Sequence, residues 1–119
     1  MRYGGIVPFV LPVLLAMASP PPVPGLRRAG DCAWVRGRFT VANGSSINRI
    51  RMVGTGHVLA LYDDDTDVPP AVRRFWNQAR PFDHALLGDF YVCARERRIA
   101  GHMQHVRIRA TRRTAMLLR

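Results

Sequence analysis

The stretch CAWVRGRFTV, residues 32–41, sets Val35, Gly37, Phe39 and Val41 against Trp34, Arg36, Arg38 and Thr40 in strict alternation. A period of two is strand geometry, because successive side chains leave opposite faces of a sheet. A strand that is apolar on one side and cationic on the other has to cover a core and present its second side to water, so this stretch commits the chain to a sheet. The pattern recurs. In INRIRM, Asn48, Ile50 and Met52 oppose Arg49 and Arg51, and in DFYVCARE, Phe90, Val92 and Ala94 oppose Tyr91, Cys93 and Arg95. In HMQHVRIRAT, Val106, Ile108 and Ala110 point inward while His105, Arg107 and Arg109 point outward. HVLALY, residues 57–62, is apolar on both sides, which suits a central strand covered on both faces.

The connections are equally specific. Asn43-Gly44 tolerates positive φ and predicts a hairpin between the first two strands. Val72, Phe75, Trp76 and Ala79 recur at helical spacing after Pro70, predicting one helix over 70–79 with Asp67 as its cap and Pro81 as its stop. Five strands with a helix between the third and fourth give a mainly β fold: a small antiparallel sandwich or a half-open, five-stranded OB-like barrel with one short helix. Residues 31–119 form this single β-domain.

The residues before it read differently. MRYGGIVPFVLPVLLAMA places Arg2 before an apolar run, Ile6 to Ala18, that ends in small residues, which is the layout of a secretory signal peptide at residues 1–18. That run holds thirteen residues and two prolines, whereas a membrane-spanning helix needs roughly 20 apolar residues, so the chain is not expected to be an integral membrane protein. A proline-rich leader, SPPPVPG and its continuation, occupies residues 19–30. Acylation at Cys32 is disfavoured by Asp31 directly before it, where a small residue would be required. The expected location is therefore periplasmic or secreted.

Cys32 and Cys93 are the only cysteines. In an oxidising compartment they are expected to form one disulfide, the alternative being two buried thiols. Both share parity with outward residues, Trp34 and Arg36 for one and Tyr91 and Arg95 for the other, so a bridge between neighbouring strands is geometrically reasonable. All eighteen basic residues are arginine, against eight acidic ones, for a net charge of +10. That balance favours anionic partners, and outside the cytoplasm these are lipid phosphates, acidic glycans and proteins.

Residues with other chemical potential carry weaker signals. His102 and His105 fall on opposite faces of a strand, so they do not converge on one metal ion there; His57 and His84 lie in other elements. Asp63, Asp65 and Asp67 form a D-x-D-x-D series, but Val68 and Arg74 stand where a calcium loop needs glycine and glutamate. No nucleophile elbow, paired glutamates, H-E-x-x-H motif or phosphate loop occurs, so neither enzymatic activity nor a cofactor is expected. The best binding feature is the outward set Trp34, Arg36, Arg38, Arg49, Arg51, Arg107 and Arg109, expected to form an anion-binding sheet face if its strands are neighbours; the alternative is that these arginines only solubilise the sheet.

The ordered series CAWVRGRF, NGSSINRIRMVGTGHVLALY and LLGDFYVCARERRIAGHMQHVRI resembles a group of small exported proteobacterial proteins of unknown function, over residues 32–110. The shared pattern is C-x-x-V-x-G-R, N-G, R-I-x-x-V-G-T, G-D-F-x-V-C and G-x-M-Q-x-V. The resemblance implies an exported β-domain with cysteines at Cys32 and Cys93, and it brings no activity, cofactor or catalytic residue. RIRATRR, richer in arginine, departs from it.

Two functions follow as expectations. One is an exported, non-enzymatic domain that contacts an anionic lipid, glycan or protein of the envelope through its arginines. The other is a cytoplasmic OB-like protein binding single-stranded nucleic acid, a partner that export disfavours. The signal predicts cleavage after Ala18; mass spectrometry of the protein from its host should find Ser19 as the N-terminus, and an intact Met1 form in the cytoplasm would contradict it.

Overall fold

In the computed structural model, which describes residues 25–41, 47–62, 67–78 and 80–119, the alternation of the first stretch becomes β1, Cys32–Thr40, with Val35, Gly37 and Phe39 buried and Trp34, Arg36 and Arg38 exposed. It is followed by β2 (Ile47–Met52), β3 (Val58–Tyr62), the helix α1 (Pro70–Trp76), a 3-10 turn at Pro81–Asp83, β4 (His84–Ala94) and β5 (Gln104–Leu118). The strands close into a barrel in the order β1-β2-β3-β5-β4. Every pairing is antiparallel except the last one needed to close the ring, where β3 and β5 run parallel through Leu59/Gln104 and Ala60/His105. With the helix between β3 and β4, this is the OB-like arrangement that the sequence favoured, in its closed form.

The inward halves of the alternating strands fill the barrel. Val35, Phe39, Ile50, Leu59, Leu61, Phe90, Val92, Val106 and Ile108 are all buried in one core cluster. At one end of the barrel, Phe75 and Trp76 of α1 meet the ring of Phe39 edge-on at 5.8 and 6.0 Å. At the other end Leu26 is fully buried, and its carbonyl accepts a hydrogen bond from Gln104 Nε2 at 3.0 Å.

Leu26 corrects the boundary of the leader. The signal peptide and residues 19–24 lie outside the described residues, but residues 25–30 are folded onto the barrel rather than extended from it. The Asp31 carboxylate accepts the backbone N–H groups of Arg27 and Arg28, and Gly30 N–H donates to the Ala94 carbonyl at 2.8 Å. A buried leucine supplies the apolar area that holds this turn in place.

Further corrections concern ends of elements. The helix stops at Trp76, where the Asn77 N–H donates to the Arg73 carbonyl and the Gln78 N–H to the Phe75 carbonyl; Ala79 lies outside the described residues, as does the Asn43-Gly44 turn. Asp67 is not the cap. Pro69 occupies that position without a side-chain bond, because Pro70 already fixes the first helical φ and lacks the N–H that a cap would satisfy. β5 runs seven residues beyond the expected end at Thr111 and carries two bulges, where Arg109 is an extra residue against Tyr91/Val92 and Arg113-Thr114 oppose Gly88 alone. The first bulge shifts parity, so Ala110 pairs with outward-facing Tyr91 and is only half-buried instead of lying in the core.

Gly37 and Gly88 face each other across β1 and β4 on the inward side. A Cβ on Gly37 would sit 2.7 Å from Ile50 Cγ2 and 2.9 Å from the Arg51 carbonyl; one on Gly88 would sit 2.8 Å from Thr114 Cγ2. Both glycines therefore mark places where neighbouring strands pack too closely for a side chain. Gly37→Ala should lower stability by roughly 1–3 kcal/mol, as overpacking does. Gly88→Ala should cost less, because a threonine side chain can turn aside more easily than a strand carbonyl. Urea denaturation of the two variants checks the order.

Candidate anion-binding face

The outer surface of β1 is the axis of the site. Ala94 N–H donates to the Asp31 carbonyl at 2.7 Å, which makes 31/94 a hydrogen-bonded pair. Every second step along the ladder from there, Cys32/Cys93, Trp34/Tyr91, Arg36/Asp89 and Arg38/Leu87, is then a closer pair with its side chains outward. The Cys32 and Cys93 sulfurs lie 2.09 Å apart, with their Cα atoms 4.0 Å apart. The rings of Trp34 and Tyr91 are 5.2 Å apart. On the other flank of β1, Arg38 stands opposite Arg51 and Thr40 opposite Arg49.

Asp89, 4% exposed, is the only acidic side chain buried among the described residues. Three guanidinium groups converge on it: Arg36 Nη1 at 3.1 Å, Arg112 Nε at 3.2 Å and Arg113 Nε at 2.7 Å. The Arg113 hydrogen bond, opposed by burial and reinforced by those from Arg36 and Arg112, holds the carboxyl down at about 2, from an ordinary 3.8. The bulge makes this convergence possible. Arg112 occupies the outward position opposite Asp89, and Arg113 adopts a left-handed φ of 52°, which brings a second arginine to the same face. A side chain in that conformation costs roughly 1–2 kcal/mol relative to glycine. Arg112 also lies over the indole of Trp34, its Cζ 4.1 Å from the ring centroid.

A cavity of about 310 Å³ opens beside this cluster, lined by Arg38, Thr40, Arg49, Arg51, Val58, Ala85 and Arg119. Arg119 is anchored through Nη1 to the carbonyls of Val41 and Phe82. Among the described residues, no Asp or Glu side chain pairs with Arg38, Arg49 or Arg51.

The seven residues expected from the sequence thus separate into neighbouring groups. Arg38, Arg49 and Arg51 share the cavity, whereas Arg36 belongs to the Asp89 cluster and Trp34 supports Arg112. Arg107 and Arg109 line a different cavity of about 300 Å³ with Cys93, Ala94 and Arg95, at the disulfide end of the face. The histidines do not assemble. His105 bonds Glu96 through Nδ1 and its backbone N–H, both at 3.1 Å, and these contacts, the backbone one foremost, hold the Glu96 carboxyl below its ordinary value. His84 bonds the Arg80 carbonyl, while His57 and His102 line one cavity. Among the described residues no group of three potential ligands could hold a metal ion, and Asp63 and Asp65 lie outside them. No helix among the described residues is long and apolar enough to cross a membrane.

Comparison with family models, curated proteins and solved structures finds no match to this chain, so the class is defined by the fold: a small, disulfide-linked OB-like barrel with an arginine-rich outer face.

Asp89, Arg112, Arg113 and Arg119 were not anticipated from the sequence. Asp89 had a usable signal. Once Cys32 is placed opposite Cys93, two steps of two residues bring Arg36 opposite Asp89. Arg112 and Arg113 had none, because the bulges that orient them break the period from which facing is read. A carboxyl whose folded value is depressed stabilises the fold above its unfolded value and loses that contribution on protonation. Stability that depends on Asp89 should therefore fall as pH drops from about 3.8 towards 2. Denaturant titrations at neutral pH and at the bottom of that window should show a smaller acid-induced loss in Asp89→Asn than in the parent.

Proposed function

We propose that this chain is an exported, non-enzymatic OB-like domain that binds an anionic component of the cell envelope, a lipid phosphate or acidic glycan, through the cavity of Arg38, Arg49, Arg51 and Arg119. The observation that carries the reading is the direct opposition of Arg38 and Arg51 on neighbouring strands, with Arg49 one step away and, among the described residues, no acidic side chain paired with them. Like charges facing each other across a ladder are destabilising. A guest anion removes that repulsion, and guanidinium groups suit carboxylates and phosphates through paired N–H donors. The bonded cysteine pair is the form that oxidising compartments preserve, which supports export.

A second reading, binding of single-stranded nucleic acid, draws on the OB-like strand order and on Trp34, 40% exposed beside the arginines. Cellular location separates the two.

The test measures binding of the full mature chain to vesicles with and without anionic phospholipid, to an acidic oligosaccharide, and to a single-stranded oligonucleotide, each over a salt series. Binding to the envelope anion should weaken steeply with salt, since exposed charges are screened within about 10 Å at 0.1 M. The double variant Arg38→Gln/Arg51→Gln should lose about tenfold in affinity, near 1.4 kcal/mol, while melting at the same temperature or higher because a repulsive pair is gone. Unchanged affinity in that variant would overturn the proposal.

A further inference from the structure

The cluster around Asp89 has more charge than its internal pairing consumes. One carboxylate, 5% exposed, holds three guanidinium groups whose side chains are 43%, 53% and 70% exposed, leaving two positive charges uncompensated among the described residues. The donors used are Nη1 of Arg36, Nε of Arg112, and Nε and Nη2 of Arg113. Each guanidinium carries five N–H donors, so several on each arginine remain unspent. Position is also fixed from outside the ion pairs: the Trp34 ring backs Arg112, and a strained backbone at Arg113 turns that side chain towards Asp89. Left-handed φ at a residue other than glycine, at a bulge, is a feature that functional sites retain.

We infer that Arg36, Arg112 and Arg113, held in place by Asp89, form a second anion subsite that takes a dianionic phosphate monoester. Asp89 is a positioning residue: it orders three arginines that would otherwise spread apart, and its single charge leaves a surplus of two, which matches a dianion. Trp34 and Tyr91 border the subsite and offer an apolar ring face to whatever carries the phosphate. The subsite is distinct from the Arg38/Arg51 cavity, although Arg36 and Arg38 alternate on β1, so a ligand with two anionic groups can reach both.

Calorimetric titration of the full, oxidised chain with inorganic phosphate tests this. Saturable binding is expected, tighter for the dianion than for the monoanion, so that affinity rises with pH across the second ionisation of inorganic phosphate. Arg113→Gly is the decisive variant, because glycine suits φ 52° and the fold should be kept or strengthened. Phosphate affinity should drop at least fivefold, whereas a merely structural Arg113 predicts no change. Asp89→Asn makes the surface more positive, so a diffuse charge effect predicts tighter binding, and a positioning role predicts weaker binding. Arg38→Gln/Arg51→Gln removes whatever phosphate the cavity itself takes, and the part of the binding that Arg113→Gly abolishes should persist in that double variant. Loss there with retention in Arg113→Gly would put phosphate in the cavity, overturning this inference while leaving the proposed function intact.

Vesicles containing phosphatidic acid identify the source of the monoester. Retention that free phosphate competes away indicates a lipid headgroup, and phosphate binding without vesicle retention indicates a soluble ester. Absence of saturable phosphate binding, or unchanged affinity in Arg113→Gly, overturns the subsite.

Discussion

The pairing of β1 with β4 fixes where every outward side chain of the face stands, and the Cys32–Cys93 contact lies at its open end. A ladder whose side chains alternate has only one tolerable register, because a slip of one residue would turn Phe39 and Phe90 to water and the arginines into the core. Joining residues 61 apart removes chain entropy from the unfolded state, worth about 4 kcal/mol on the loop-closure model. The same bond sets the phase of the ladder. Stepping inward from it, the aromatic pair, the Arg36/Asp89 pair and the Arg38/Leu87 pair follow in order. The chemistry of the face is thus a direct result of one alignment.

That alignment brings together groups that do not favour one another. Two adjoining groups on the face hold seven arginines between them, with a single acid buried among them, and the cost of the arrangement falls on the fold. Arg38 faces Arg51, and Arg113 sits in a backbone conformation better suited to glycine. Apolar residues fill most of the barrel, with Asn48 and Gln104 as its buried polar residues, whereas on this surface like charges face each other and a residue other than glycine takes a left-handed φ. Such a division is what a binding surface looks like when stability is not the only requirement on its residues.

Much of this was legible beforehand. Four alternating runs and one doubly apolar run gave the strands and the inward residues Val35, Phe39, Ile50, Phe90, Val92, Val106 and Ile108, because period-two burial is the strongest signal a half-buried sheet emits. The helix was visible from its spacing, though its cap was misassigned, since two consecutive prolines do by covalent constraint what Asp67 was expected to do by hydrogen bonding. Leu26 was invisible because one apolar residue in a proline-rich stretch has no period. The second half of β5 was hidden for a related reason: bulges at Arg109 and Arg113 reset its facing, so RRTAMLLR does not read as a strand. Of the site, the arginines of β1 and β2 were found, and the acid that organises their neighbours was missed.

The barrel is closed unevenly. Four of its seams are antiparallel ladders of four to ten residue pairs, but β3 meets β5 at only two positions, 59/104 and 60/105. Those partners are also distant in sequence, so two residue pairs have to offset the loop-closure entropy of a long intervening chain. A ring with one short joint opens there first, and partial opening costs less free energy than global unfolding. Amide protons along that joint therefore exchange ahead of those in the β1–β4 ladder. The barrel behaves mechanically as a clasp, with its hinge on the disulfide side and its catch between β3 and β5.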